Sequence, residues 1–417
     1  MSKETTRTKL NPTATKEHIL QYFANSEVQI GRGQRPTTLC IEGKAGIAKT
    51  SLVKQIAKEM GYKFHQINAA MIDDLGHLVG FPQKQYQILF SNKEGDIISS
   101  EMKWVPAEFS ENAIEEGGKY TGEARMAYAE PYWLKEVQPD EKFLLLLDDF
   151  TRGLPMVMQA CMTLVEEYCY GSWQLPKNTV IMLTTNPDNG EYSVSSLDVA
   201  QKTRMRYIEM KFDVDSWAQW AESVEMDGRC VNFVLSNREL FSEKNDGIGS
   251  SKDYNARIMT KFFDDIGCLP DFSTSLSYVK ICGDGSVGNN FTDHFITFVN
   301  NKLDKLPEPK QLLKMDPEKA LSLLSSVCGN HKTKDAYNPA TASIMASRIT
   351  NYVIYGEHEK WGRDENQKVI NLILHDSFSQ DLKFFMARQF LTPKAKEQSS
   401  KLQLIMLHPK ILEMLTT

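Results

Sequence analysis

The strongest restriction on the fold comes from one short segment, Gly43 to Thr50, which reads Gly-Lys-Ala-Gly-Ile-Ala-Lys-Thr. It matches the phosphate-loop pattern at every position but one, because Ala48 stands where the last glycine is usual. An apolar stretch, Thr37 to Ile41, precedes it, and apolar residues return at helical spacing from Ser51 to Met60. Strand, loop and helix in this order form a concavity where backbone N–H groups bind phosphate. A chance Gly/Lys turn is the alternative, which the flanking strand and helix disfavour.

The loop predicts ATP and Mg²⁺ as cofactors. Lys49 places a positive charge near the β- and γ-phosphates, and the hydroxyl of Thr50 is a suitable magnesium ligand. The methyl group of Ala48 disfavours a positive φ and a close approach of the phosphate, so we expect a slightly altered pocket. The predicted nucleotide-binding residues are Gly43, Lys44, Ala45, Gly46, Ile47, Ala48, Lys49, Thr50 and Ser51.

Two adjacent carboxylates follow the unbroken apolar run Phe143 to Leu147, which is typical of a parallel strand buried on both faces. Asp148 is predicted to hold Mg²⁺ together with Thr50. Asp149 is the candidate base for the attacking water, and its side chain is one methylene shorter than that of the usual Glu, so we expect slow hydrolysis. Helix capping is the alternative explanation for such an Asp pair.

Asn186 follows another buried strand, predicted at Val180 to Thr184. An Asn at a strand end can hold the water that attacks a phosphate. An Asn-Pro pair is otherwise a common turn, so the interpretation depends on its order in the chain after the phosphate loop and the Asp pair. Asn186 and Asp149 are the catalytic candidates obtained from these patterns.

Strand and helix patterns alternate through the first half of the chain, which predicts an α/β fold with a parallel sheet between helices. Helical patterns take over from Asp215 onward, and the predicted helices include Ala256 to Ile266, Thr292 to Leu303 and Asn366 to Leu382. The segment around 81–130 fits neither pattern and is predicted to be an insert. It contains a predicted hairpin, Tyr86 to Phe90 and Ile97 to Trp104, with its turn at Ser91 to Asp96, and a predicted exposed loop at Glu115 to Tyr120. The predicted organisation is a flexible leader at 1–16, an α/β core at 17–213, a helical lid at 214–330 and a C-terminal helical extension at 331–417.

Composition restricts the class of protein. The chain has 417 residues, 41% hydrophobic and 24% charged, which is typical of folded soluble proteins. A formal net charge of -6 disfavours nucleic-acid binding and leaves only local basic clusters such as Lys394, Lys396 and Lys401. The longest apolar run is far too short for a membrane span, so we expect a cytoplasmic protein. Seven scattered cysteines without a CxxC pair argue against a disulfide framework or a zinc site.

In order and spacing, these segments resemble the MoxR branch of AAA+ ATPases over roughly residues 30–329. Leu144 to Arg152 is similar to the family's Walker B segment, Gly171 to Pro176 to its following hairpin, and Thr185 to Pro187 to its sensor 1. The resemblance implies a P-loop AAA+ core, an α-helical lid and ATP hydrolysis in an oligomeric ring. It also places the segment at 81–130 where this clade carries its helix-2 insert.

The resemblance adds two arginines to the predicted catalytic set. Arg204, just before the last core strand, matches the arginine finger that reaches a neighbour's γ-phosphate, with Arg206 as the second choice. Arg257 matches the sensor 2 arginine of the lid, although Ala256 replaces the Pro that the family commonly has there. Arg152, after the Asp pair, is either a subunit-interface residue or a solvated helix cap.

Three functions are compatible with these features. The first is an ATP-driven remodeller of a protein client, acting as a homo-oligomer that is hexameric by the resemblance. Relatives often work with a von Willebrand factor A domain protein, which is therefore a candidate partner. The second is a nucleic-acid motor or loader. The third is a slow-hydrolysing, nucleotide-gated assembly protein in which ATP mainly orders the ring.

Overall fold

A computed structural model describes residues 8–94, 97–188, 192–241, 255–358 and 360–416. The chain divides into two compact units, Met1–Lys211 and Phe212–Thr417.

The first unit is built around a parallel sheet with flanking helices. Its strands are β1 (Lys9–Leu10), β2 (Thr38–Glu42), β3 (Lys63–Asn68), β4 (Pro82–Glu94), β5 (Ile97–Pro106), β6 (Lys119–Tyr128), β7 (Phe143–Asp148), β8 (Cys169–Tyr170), β9 (Trp173–Gln174), β10 (Thr179–Thr185) and β11 (Met205–Met210). Its α-helices are α1 (Pro12–Gly31), α2 (Lys49–Glu59), α3 (Leu75–Val79), α4 (Ser110–Glu115), α5 (Tyr132–Lys135), α6 (Pro155–Glu167) and α7 (Val199–Thr203).

Six strands form the main sheet in the order β1-β11-β2-β10-β7-β3, and all neighbouring pairs are parallel. Strand β10 lies between β2 and β7, so that Leu183 pairs with Cys40 on one side and with Leu147 on the other. Strands β7 and β10 are buried along their whole length, as their apolar sequences predict. The predicted α/β fold is confirmed, and the carboxyl ends of these three strands meet at one edge of the sheet.

The insert forms a separate antiparallel sheet of three strands in the order β5-β4-β6. The predicted hairpin is confirmed by its register, since Gln87 pairs with Trp104 and Phe90 with Glu101. Strand β4 extends to Glu94, so residues 91–94 of the predicted turn at 91–96 belong to the strand. Residues 95–96 lie outside the described part of the chain. The third strand, β6, was not predicted: residues 119–120, expected in an exposed loop, begin it instead.

The start of the described chain differs from the predicted flexible leader. Lys9 and Leu10 pair with β11, and α1 begins at Pro12 rather than at residue 17. The side chain of Asn11 accepts a hydrogen bond from the Ala14 N–H at 2.8 Å, and proline at the first position supports the same helix start. The helix start was predicted too late because these capping residues precede the first apolar residues of the helical pattern. Residues 1–7 of the predicted leader lie outside the described chain.

The second unit is helical in its described residues, as predicted. Its α-helices are α8 (Val214–Ser223), α9 (Gly228–Ser236), α10 (Ala256–Gly267), α11 (Leu276–Ser286), α12 (Asn289–Asn300), α13 (Pro309–Lys314), α14 (Pro317–Cys328), α15 (Pro339–Tyr355), α16 (Arg363–Leu374), α17 (Gln380–Gln389), α18 (Pro393–Glu397), α19 (Ser399–Met406) and α20 (Pro409–Thr416). One apolar cluster is rich in phenylalanine and centres on α9, α10 and α12, and another surrounds α15 and α16. The predicted boundary between lid and extension at residue 330 stays a prediction.

Two helix assignments in this unit were wrong. The segment 366–382, predicted as one helix, is divided between α16 and α17, because the Ser379 hydroxyl caps a new helix by accepting from the Leu382 N–H. Helix α11 was missed because Gly283 and Gly285 weaken its helical pattern. Gly283 is needed for packing, since a Cβ there would collide with the side chain of Thr292 on α12.

A buried ion-pair network joins distant segments of the second unit. Arg348 on α15 is only 1% exposed. Its guanidinium lies 2.6 Å from a carboxylate oxygen of Glu222 and 2.6 Å from one of Glu308, and it also donates to the Asn232 side chain at 3.0 Å. Buried charges of this kind are tolerated only when they are paired and hydrogen-bonded.

Candidate functional site

The phosphate loop connects the end of β2 to the start of α2. A Cβ on Gly43 would lie 2.5 Å from the Met210 carbonyl oxygen and 2.7 Å from the Ile47 side chain, so this position has no room for a larger residue. Gly46 has φ +76° and Ala48 has φ +69°. The alanine therefore adopts the left-handed conformation that its methyl group disfavours, and the loop keeps this geometry at a cost in local strain.

Lys49 points its ammonium group into the loop and is only 6% exposed. The Nζ atom donates to the carbonyl oxygens of Gly43 at 2.6 Å and Lys44 at 2.9 Å. It also donates to the Asn186 side-chain oxygen at 3.1 Å. The structure thus brings the loop lysine together with the strand-end asparagine, although 137 residues separate them in the chain.

Asp148, at the end of β7, is 7% exposed and accepts hydrogen bonds on both carboxylate oxygens. Its Oδ1 atom accepts from the Thr50 hydroxyl at 2.8 Å and from the Thr184 hydroxyl. Its Oδ2 atom accepts from the Gln66 side-chain amide at 2.7 Å. Thr50 and Asp148, both predicted as magnesium ligands, are therefore in contact, and hydroxyl and carboxylate oxygens are ligands that Mg²⁺ prefers.

Asp149 directs its carboxylate towards Asn186. The Asn186 amide donates to Asp149 Oδ1 at 3.3 Å, and the Arg152 guanidinium lies 3.7 Å from Asp149 Oδ2. The backbone has φ +49°, and its N–H donates to the Thr184 hydroxyl at 3.1 Å. Asp149, the candidate base, is therefore the second site residue in the left-handed region, and its carboxylate lies beside Asn186, which is predicted to hold the water.

The predicted arginines occupy different environments. Arg204 follows α7, is 39% exposed, and pairs with Glu166 on α6 at 3.0 Å. Arg206 lies on β11. The pKa of His18 is lowered, first by the burial of His18 and then by the positive charge of Arg206. Arg257 lies in the first turn of α10 in the second unit and is exposed. Their predicted roles are not tested by these contacts.

Three residues of the site were missed by the sequence reasoning. Gln66 and Thr184 hold Asp148, and Tyr192 accepts a hydrogen bond on its phenol oxygen from the Ala45 N–H at 3.3 Å. A polar residue inside the buried apolar strand β10 could have pointed to Thr184. Gln66 carries no comparable signal on an edge strand, and the path of the loop that brings Tyr192 to the site is not readable from the sequence.

Within the described ranges, no group of three or more His, Cys, Asp and Glu side chains is arranged to hold a metal ion. None of the described helices combines the length and apolarity needed to cross a membrane.

Comparisons with known proteins find similar solved structures but no matching sequence. No protein-family model and no curated protein sequence matches the chain. Among solved structures, it is similar to the Thermotoga maritima RuvB Holliday junction branch migration motor, with 13% identity over 74% of this chain and 81% of that one and a TM-score of 0.33. A point mutant of the same RuvB gives 13% identity over 74% and 82% and a TM-score of 0.34. A likeness at this level of identity and TM-score assigns no function to the chain.

Proposed function

We propose that this protein binds ATP with Mg²⁺ and hydrolyses it. The observation that carries the proposal is the contact between groups from three strand ends: Lys49 touches Asn186, Thr50 touches Asp148, and Asn186 touches Asp149. A lysine, a hydroxyl and a carboxylate gathered at a phosphate loop are the parts that phosphoryl transfer requires. Each was predicted separately from the sequence.

The donor set fits the two cofactors. The loop amides and the Lys49 ammonium would bind the phosphates of ATP, and the Thr50 hydroxyl and the Asp148 carboxylate would hold Mg²⁺. The metal would offset negative charge on the phosphates. The Thr184 hydroxyl and the Gln66 amide already orient Asp148, so its carboxylate needs little rearrangement to act as a ligand.

The chain's own residues can then activate water. Asp149 would accept a proton from the attacking water, while the Asn186 amide, 3.3 Å from Asp149 Oδ1, would orient it. The Asp149 carboxylate extends less far than a glutamate, and Ala48 keeps a methyl group at a strained position of the loop. Both features favour slow turnover, which we include in the proposal.

By its resemblance to the MoxR branch, we propose that the protein works in the cytoplasm as an AAA+ ring that remodels or assembles a protein client, with a von Willebrand factor A domain protein as one candidate. Arg204 would act across the subunit interface and Arg257 as the sensor of the lid. Support for Arg204 is its exposure and its pairing with an exposed carboxylate, Glu166, because a neighbour's phosphate can replace such a partner at little cost.

The nucleic-acid motor is the second candidate, and the basic cluster offers it little support. Lys394 pairs with Glu397 at 2.9 Å, and the Lys401 ammonium lies 4.7 Å from the centre of the Trp361 ring. A phosphate-tracking surface needs several cations turned towards solvent. The gated-assembly protein is the third candidate, favoured by the same Ala48 and Asp149 that predict slow turnover.

Nucleotide binding is tested first, by titrating a fluorescent ATP analogue at millimolar Mg²⁺. Lys49→Ala removes a charged donor and should weaken binding roughly 10- to 100-fold, the effect of losing a charge-assisted hydrogen bond. Lys54→Ala, on the exposed face of the same helix, is the matched control and should bind normally. Absence of binding in the wild type, or normal binding by Lys49→Ala, would refute the proposal.

Turnover and assembly are tested together, by measuring ATP hydrolysis and particle mass over a range of protein concentrations. Activity that rises cooperatively as rings form supports the remodeller, whereas rings that bind ATP without hydrolysing it support gated assembly. Arg204→Ala subunits mixed into wild-type rings should depress activity at least in proportion to their fraction. Activity that mixing does not depress would remove Arg204 from the proposed role across the interface.

A further inference from the structure

Tyr192 makes a direct contact with the phosphate loop that the proposed mechanism does not use. Its phenol oxygen accepts a hydrogen bond from the backbone N–H of Ala45, with 3.3 Å between the two atoms. Ala45 is one of the loop residues whose N–H groups would bind phosphate. The tyrosine is half-buried, so its ring lies against the protein rather than in open solvent.

The chain around Tyr192 is anchored close to the catalytic turn. The Ser195 N–H donates to the Thr151 carbonyl oxygen at 2.8 Å, and Thr151 lies two residues after Asp149. The Ser196 hydroxyl donates to the Asp188 side chain at 2.5 Å. The segment that follows Tyr192 is therefore attached two residues after the candidate base, Asp149, and two residues after the candidate water-holding residue, Asn186.

One backbone N–H can donate fully to only one acceptor. The neutral phenol oxygen and a phosphate oxygen would compete for the Ala45 N–H, and the charged oxygen forms the stronger hydrogen bond. The phenol is nevertheless already in place, because its segment is anchored, so nucleotide must displace it. Such a displacement reduces the observed affinity without adding any repulsive contact.

We propose that Tyr192 sets the nucleotide affinity of this site by occupying a phosphate-binding N–H of the loop, which it gives up when a phosphate-bearing nucleotide binds. This inference rests on the proposed ATP binding.

The test is Tyr192→Phe, which keeps the ring and removes the competing oxygen. Removal of one neutral hydrogen bond should make ATP and ADP bind roughly two- to tenfold more tightly than in the wild type. Adenosine, which has no phosphate, should bind both proteins equally. Tyr132→Phe is the matched control, because Tyr132 lies in the same unit and is 79% exposed, and its affinities should equal those of the wild type.

The outcomes separate this inference from the proposed function. If the wild type binds neither ATP nor ADP, the proposed function fails and the role of Tyr192 fails with it. If the wild type binds ATP and Tyr192→Phe binds it equally or more weakly, only the role of Tyr192 is refuted, because the phenol then either does not compete or helps to hold phosphate. Equal tightening for adenosine would also refute it, since competition for a phosphate-binding N–H cannot affect that ligand.

Discussion

Replacing Thr184 by valine removes a hydroxyl group that bonds to the Asp148 carboxylate and to the Asp149 backbone N–H, while keeping the shape of the side chain. Thr184 is fully buried, with 0% exposure. Its hydroxyl accepts from the Asp149 N–H at 3.1 Å and donates to Asp148 Oδ1. The valine variant therefore leaves one N–H without this acceptor and removes one donor from a charged carboxylate.

The two losses set the size of the effect. An unsatisfied buried N–H costs about 1–3 kcal/mol, and a hydrogen bond to a charged group contributes about 1.5–3 kcal/mol. Asp148 keeps its bonds from Thr50 and Gln66, which limits the second loss. We expect the free energy of unfolding of the first unit to fall by about 2–4 kcal/mol, or roughly 5 to 15 °C in its thermal midpoint. Because Asp148 is less well oriented, half-saturation of ATP binding should also require more Mg²⁺.

Differential scanning calorimetry and magnesium titrations of ATP binding measure the two effects. Thr185→Val is the matched control: Thr185 is 1% exposed and its hydroxyl pairs with that of Thr151 at 2.5 Å. The control loses two neutral hydrogen bonds, to the Thr151 hydroxyl and to the Asn186 carbonyl oxygen, at about 1 kcal/mol each, and its magnesium requirement should not change. The reasoning is refuted if Thr184→Val is as stable as the wild type, or if its magnesium requirement equals that of the wild type.

Three further predictions concern strain, buried charge and pH. Ala48→Gly should stabilise the first unit by up to about 1 kcal/mol and so raise its thermal midpoint, because glycine adopts φ +69° without the steric cost of a methyl group. A lower midpoint would contradict the assigned strain. Arg348→Met leaves the buried Glu222 carboxylate without its ion-pair partner. The free energy of unfolding of the second unit, measured in denaturant titrations, should fall by about 3–5 kcal/mol. A fall below about 1 kcal/mol would be contrary evidence. Burial, and then the charge of Lys401, lower the pKa of His358 from 6.5 to about 4. Its folded-state pKa lies below the unfolded value, so the stabilisation is present above about pH 6.5 and is lost as the pH falls towards 4. The midpoint of the second unit should therefore drop across this window, and less so in His358→Gln; an equal drop in both would exclude His358 as the cause.

Local patterns were enough to predict the α/β fold and the elements that carry the site. A parallel strand buried on both faces must be apolar throughout, so Phe143 to Leu147 could be recognised without neighbours. The phosphate loop requires a preceding strand and a following helix, and this requirement identified β2 and α2. Since parallel strands end at the same edge, Lys49, Asp148 and Asn186 could be expected together before any distance was known.

Contacts between segments far apart in the chain were beyond such patterns. Gln66 reaches Asp148 across 82 residues and Tyr192 reaches Ala45 across 147, through strand register and a loop path that local propensities do not specify. The pairing of β1 with β11 and the third strand of the insert likewise depend on partners outside any local window. The positive φ of Ala48 could not be predicted from local propensity either, because the surrounding fold overrides the preference of an isolated alanine. Periodicity and motif chemistry are properties of neighbouring residues, whereas hydrogen-bond partners and strain depend on which distant segments the folded chain brings into contact.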